Sequence, residues 1–372
     1  MFENSFRLGS VAGIRIGVHY TWFVIFLLLS SLLYNSFSYQ HPEWDKTIAL
    51  LTAVITTLVF FASIVLHELG HSLVAIKRGI SVRSITLFIF GGVAQTEKES
   101  ESAQTEFLVA IAGPLVSFGL AALFFLLAVW LSPVSEVAGE AFEWLATINL
   151  MVAIFNMAPG FPLDGGRVFR ALVWGFTGDA AKGMRWAVFA GKAVAYLLMG
   201  MGILAAIQTN LLNGIWLFGI GWFLLVSAQA SGQSFTINRV FQRTHAGDLM
   251  ERDVPVVAST VSIADWVEDY VFAKGTRAFL VAEQGDIVGL ITLSDCNKIP
   301  RERWQDTAVK MVMTPIASLH SVGIDTDITA VLQLMAAHSL NQVPVIDDSA
   351  IVGWIDRDRL IKILKVHTEA DA

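Results

Sequence analysis

The sequence predicts a polytopic α-helical membrane domain of about six spans, followed by a soluble α/β module built as a tandem repeat. Three observations predict it. Hydrophobic residues make up 55% of the 372-residue chain and charged residues 15%, with a mean hydropathy of +0.61. Soluble domains carry about 25% charged residues. The long apolar runs fall almost entirely within residues 1–235, while residues from about 245 onward have the composition of an ordinary soluble domain. In that second part a segment recurs at an offset of 63 to 64 residues.

A helix needs about 20 apolar residues to cross a hydrocarbon core. Six runs meet or approach that length: 18–38, 48–76, 107–131, 141–157, 186–208 and 214–231. The first lacks a small-residue cleavage site before the next run, so it reads as a signal anchor that stays in place. Basic residues gather in alternate connections: Arg7 and Arg15; Lys77, Arg78, Arg83 and Lys98; Arg167, Arg170, Lys182 and Arg185; then Arg239 and Arg243. The other connections hold only Lys46. That bias predicts a multi-pass protein of the cell membrane with both termini cytoplasmic. A net charge of −7 gives no support for a nucleic-acid partner. Cys296, the single cysteine, has no partner for an internal disulfide.

A polar linker over about 232–246 separates the membrane domain, 1–235, from two copies of the repeat, 245–303 and 308–367. Met250 is matched by Met313, and Val288-Gly-Leu-Ile by Val352-Gly-Trp-Ile. Each copy alternates a short β-rich run (278–282 and 343–346) with an amphipathic helical stretch (263–272 and 328–338).

The second apolar run ends in His67-Glu68-Leu69-Gly70-His71. Residues four apart share a helical face, so both imidazoles can reach one metal ion with Glu68 beside them. A satisfied core histidine is the bland alternative. Two histidines and a glutamate inside one span are expensive to place, however, and such residues mark function. A catalytic zinc with two His ligands takes a third protein ligand, commonly a carboxylate. Asp164 stands out, in Asn156-Met-Ala-Pro159-Gly-Phe-Pro162-Leu-Asp164-Gly-Gly. The two prolines break the fourth span, and irregular backbone at that depth must be buried or line a water-filled cavity. The competing reading makes Asp164 a helix N-cap.

These paired motifs, with Ala112-Gly113-Pro114 and Gly91-Gly92, resemble the site-2 protease family of intramembrane zinc metalloproteases. The resemblance implies that His67, His71 and Asp164 ligate zinc, that Glu68 is the catalytic base, and that Asn156 steadies the oxyanion or the substrate backbone. It also implies a transmembrane protein or leftover signal peptide as substrate, cut within the lipid bilayer near its cytoplasmic side. Residues 85–94 read as a strand and turn. That strand offers either an edge for an unwound substrate or a plug over the site, and a proline at Ile89 is the expected way to disrupt it. His19 reads as an interfacial polar residue.

The repeat resembles a tandem pair of cystathionine-β-synthase (CBS) domains. That likeness implies an adenine nucleotide held through Thr292 and Asp295, and a homodimer through the paired domains. The second copy departs from the pattern with Asp356 and Arg359 at the matching positions, so at most one nucleotide site is intact. A structural module with a Thr-x-x-Asp cap is the alternative. For the whole chain, the competing readings are a CBS-regulated transporter or channel, and an inactive relative that binds membrane partners without cutting them.

Overall fold

The computed structural model describes residues 5–370 except 90, 97–99, 209, 243, 297 and 349. Lys98 and Arg243, used above for orientation, and Phe90 of the strand-and-turn segment lie outside the described residues. The chain divides into two compact units, Met1–Gln233 and Ser234–Ala372.

The first unit opens with a hairpin of β1 (Ser5–Val11) and β2 (Ile14–His19). Its two-residue turn, Ala12-Gly13, has positive φ at both positions, 51° and 83°, as the preferred hairpin turns require. Helices α1 (Thr21–Gln40) and α2 (Lys46–Lys77) follow, then β3 (Val82–Phe88) and β4 (Gly91–Thr96). The strands form one sheet in the order β1-β2-β3-β4, with β2 and β3 parallel, so β4 is an edge. Five more helices follow: α3 (Ala103–Leu131), α4 (Glu136–Asn156), α5 (Asp164–Thr177), α6 (Ala180–Gln208) and α7 (Leu211–Val240), the last running past the unit's end at Gln233. Among the described residues six helices, α1 to α4 with α6 and α7, are long and apolar enough to cross a membrane. The predicted fold class therefore holds.

Side-chain caps set the starts of three of these helices. The Asp45 carboxylate accepts from Thr47 N–H at 2.8 Å, and the Ser102 and Ser135 hydroxyls accept from Thr105 and Ala138 N–H at 3.2 and 3.3 Å. Helices α2, α3 and α4 meet through Phe60, Phe61, Phe124, Leu145 and Ala146, joined by Val18 and Leu87 of the sheet. This packing brings the His67–His71 face of α2 against α3. Two boundaries differ from expectation. The β1–β2 hairpin was not expected, although Ile14, Ile16 and Val18 alternate with period two and are buried. The polar stretch 232–246 is not a loop at its start, because α7 continues to Val240 and Ile237, Val240 and Phe241 pack into the second unit's core.

The second unit holds two related sheets, of four strands in the first copy and three in the second. Strand β5 (Val256–Ala258) runs parallel to β6 (Ala278–Glu283), which pairs antiparallel with β7 (Asp286–Thr292), and β8 (Thr314–Pro315) closes that sheet. The second copy repeats this with β9 (Val322–Gly323), β10 (Gln342–Asp347) and β11 (Ala350–Asp356). The repeat extends to irregularities: a register shift follows Val281 in one copy and Val345 in the other. Helical segments 263–274 and Ile328–Ala337 supply Trp266, Val331 and Met335 to the two cores. Leu280 and Leu290 of the first copy pack on Trp354 of the second.

Candidate metal centre and active site

Helical spacing places His67 and His71 one turn apart on α2, both buried. Their Nε2 atoms lie 3.2 Å apart, and Asp164 Oδ2 lies 3.1 Å from His67 Nε2 and 3.2 Å from His71 Nε2. A tetrahedral zinc ion with bonds of about 2.05 Å holds its ligands about 3.3 Å apart. The triangle matches that spacing, and the donor set of two imidazoles and a carboxylate suits zinc.

The other ring nitrogens are already engaged. His71 Nδ1 donates to the Val109 carbonyl at 2.7 Å, since a carbonyl can only accept, which leaves Nε2 with its lone pair for a metal. His67 Nδ1 lies 2.9 Å from the Ser117 hydroxyl. Such outer partners fix ring orientation and tautomer. Both come from α3, and neither Val109 nor Ser117 was singled out in the sequence. Between them sits Gly113, where a β-carbon would collide with His71 Nε2 and stand 2.7 Å from His67 Nε2. The Ala112-Gly113-Pro114 motif thus has a physical reason: α3 can approach the imidazoles only without a side chain there.

Asp164 does not act as an N-cap. Leu163 holds that position, and the Asp164 carboxylate, in the first turn of α5, is directed at the two histidines. The loop 157–163 that delivers it is packed without spare volume. Phe161 N–H donates to Ala187 O of α6 at 3.2 Å, and a β-carbon on Gly165 or Gly166 would strike the backbone of residues 157–161. Behind α5, Arg167 and Arg170 face the buried Glu106 carboxylate of α3 at 3.7 and 3.5 Å.

Glu68 follows His67 directly, and Gly92 of β4 lies against it: a β-carbon there would stand 2.7 Å from Glu68 Cγ. The edge strand therefore passes beside the carboxylate. Asn156 is the last residue of α4, half-buried, at the start of the loop that carries Asp164. Ile89 falls in the turn between β3 and β4, not on the edge, so a proline there would miss the strand it was meant to disrupt. His19 bonds locally to Thr21 Oγ1 at 2.9 Å.

In the second unit Thr292 and Asp295 meet one another. Asp295 Oδ2 accepts from Thr292 N–H at 2.9 Å and from its hydroxyl at 2.8 Å, while Oδ1 pairs with Lys298 Nζ at 2.7 Å. Thr292 lines a cavity of about 220 Å³ between the copies, with Arg277, Ser294, Asn341, Gln342 and Asp358. Ligand clefts usually measure roughly 300–1,000 Å³.

An HExxH helix, a distant aspartate completing the ligand triangle and six apolar helices together define a membrane-embedded metallohydrolase. Comparison with known proteins gives the family. The Peptidase family M50 profile matches residues 55–141 and 134–200, and the CBS domain profile matches 246–301 and 309–366. The protein sll0528 of Synechocystis is 35% identical over 98% of this chain and 96% of its own. Rip3 of Mycobacterium tuberculosis is 30% identical over 98% of this chain and 94% of its own. The zinc metalloprotease MJ0392 of Methanocaldococcus jannaschii is 27% identical over 97% and 96%. The names of the first two also include zinc metalloprotease. The chain belongs to peptidase family M50, the site-2 proteases, and is an integral membrane zinc metalloprotease with a C-terminal CBS pair.

Proposed function

We propose that the chain hydrolyses a peptide bond of a membrane-spanning substrate, a transmembrane protein or a leftover signal peptide, near the cytoplasmic side of the bilayer. The observation that carries this reading is the triangle of His67, His71 and Asp164 with Glu68 adjacent on the same helix. In it, His67 Nε2, His71 Nε2 and Asp164 hold zinc. When bound, zinc lowers the pKa of a water and polarises the scissile carbonyl. Glu68 accepts the proton of the attacking water and passes it to the leaving amine. Asn156, at the head of the Asp164 loop, donates its amide to the developing oxyanion. The β4 edge supplies backbone hydrogen bonds to the substrate once its helix has unwound, which a helical peptide bond needs before attack.

The test is cleavage of a single-span substrate by purified chain in detergent or lipid, comparing wild type, Glu68→Gln and chelator-treated wild type. General-base catalysis contributes about 10²- to 10⁴-fold, so Glu68→Gln should lose at least 10²-fold while zinc measured by mass spectrometry stays at the wild-type level. Unchanged cleavage by Glu68→Gln, or by zinc-free chain, would overturn the reading.

A second reading concerns the CBS pair. The cavity at Thr292 is bordered by both copies, as a site for an adenine nucleotide that modulates cleavage would be, and such paired domains also suit a homodimer. Binding there has to open the cavity and release Asp295 from Thr292, because that carboxylate is engaged. Titration calorimetry of the full chain with ATP and AMP is expected to give heat that Thr292→Val removes. Silence with both ligands leaves a structural module.

A further inference from the structure

A second convergence of ligand atoms lies at the opposite end of α2 from the catalytic histidines. His41, which ends α1, points its Nδ1 at Glu43 Oε1, 3.2 Å away, and at Glu136 Oε1, 3.1 Å away. Its Nε2 faces Glu140 Oε1 at 3.6 Å. The carboxylates come from two places, the connection between α1 and α2 and the first turns of α4. The imidazole is not free to drift. It stacks on Trp44 with ring centroids 4.3 Å apart and an interplanar angle of 13°, and Trp44 in turn packs on Phe37 and Leu33.

The Nδ1 side of this arrangement suits a cation. A neutral imidazole has one N–H and one lone pair. If the proton is on Nε2, the Nδ1 lone pair faces two carboxylate oxygens. If it is on Nδ1, that N–H is shared between Glu43 and Glu136, and Nε2 stands 3.6 Å from Glu140, beyond hydrogen-bond distance. In the first tautomer, the one that leaves the Nδ1 lone pair free for a metal, a cation among the three atoms satisfies all of them. The geometry favours the cation. Nδ1 lies 3.2 and 3.1 Å from the two oxygens, matching two sides of the catalytic triangle, and all three atoms lie within 4.8 Å of one another. On the other side, the Glu140 carboxylate lies 3.6 Å from Nε2, near enough for its charge to act on the ring but not as a hydrogen-bonded partner.

We propose that His41 Nδ1, Glu43 and Glu136 form a second metal site, for a divalent transition ion of the zinc class, with the stacked Trp44 ring orienting the imidazole. Nitrogen with two carboxylates suits such ions. His41 and His67 are separated by most of the length of α2, roughly 30 Å at 1.5 Å per residue, so the site is separate from the catalytic one. Its occupation ties the α1–α2 connection to the start of α4, the helix that ends at Asn156.

Zinc bound per chain after dialysis of the full-length protein in detergent tests this, with four samples. Wild type is expected to hold two equivalents and His67→Ala one, because that change removes only the catalytic site. Glu43→Gln with Glu136→Gln, two exposed side chains, should also hold one, and adding His67→Ala to them should leave none. His67→Ala chain without zinc overturns the proposal, whatever the glutamine variants do. A wild-type value of one that the double glutamine variant keeps also overturns it and leaves His41 as a hydrogen-bonding partner of Glu43 and Glu136.

Discussion

At the scale of single residues, the proposed metal centre depends on a side chain that is missing. The imidazoles of His67 and His71 are held by Ser117 and Val109 of α3, and α3 reaches them only because Gly113 has no side chain. Gly113→Ala puts a methyl group where the Nε2 lone pairs must meet zinc. Alanine costs a helix nothing in propensity, so the change should leave α3 intact. The expected result is a chain that still extracts and runs as wild type on size exclusion but has lost most of its catalytic zinc and at least 10²-fold in cleavage, on the scale of a lost general base. Full zinc and full activity would show that α3 can move away at no cost. The HExxH pair was legible in the sequence because its partners are four residues apart on one helix, and periodicity alone aligns them. Ser117 and Val109 were not, since they lie 50 and 38 residues from their histidines. Pairing across such distances is decided by packing. Gly113 was noticed as a motif, but its purpose becomes visible only once α3 and α2 are side by side.

Among the elements, β4 is the one exposed to chemistry. It is one edge of the four-stranded sheet, and its Gly92 lies against Glu68, so an extended substrate added there would run past the Glu68 carboxylate. In an antiparallel ladder successive N–H groups point alternately to the partner strand and away from it. Of Val93→Pro and Ala94→Pro, one therefore removes an outward N–H and spares the pairing with β3. That variant should keep its zinc and lose cleavage of the membrane substrate. If both variants cut like wild type, edge pairing is not how the substrate is held, and the strand is only a cover. The β-branched, aromatic run that the sequence marks as a strand is β3, and the glycines read there as its closing turn instead open β4. Neither β4 nor its place at an edge was legible, because the sheet also takes in the β1–β2 hairpin, whose alternating Ile14, Ile16 and Val18 merge in the sequence with the apolar run that begins at residue 18. The break in the fourth span was legible through Pro159 and Pro162. The helix that resumes at Asp164 serves the site by starting where it does, aiming the first-turn carboxylate at α2.

For the whole molecule the open physical question is which way it sits in the bilayer. Six spans would return both ends to the same side, and the distribution of basic residues predicts which side that is. The connections after α2 and after α4 carry them, while the one between α3 and α4 has none. Val134, in that bare connection, is 85% exposed, and Thr177, at the end of α5, is exposed on the basic side. The single native thiol makes labelling clean. Cys296 is buried, and desolvation together with the neighbouring Asp295 carboxylate pushes its thiol up to about 11. Only the thiolate reacts, so Cys296 should stay silent to maleimide at pH 7 and respond only as the pH nears 11. The sign for stability follows: a thiol pKa raised on folding favours the folded state below about pH 9, and that contribution is lost as pH rises through 11. Against this quiet background, Val134→Cys should react with a membrane-impermeant maleimide on intact cells. Thr177→Cys should react only after permeabilisation. The reverse pattern would place the basic connections, and with them the catalytic end of α2, on the outer face. Substrates would then have to be cut at their external ends, against the charge bias of every described connection.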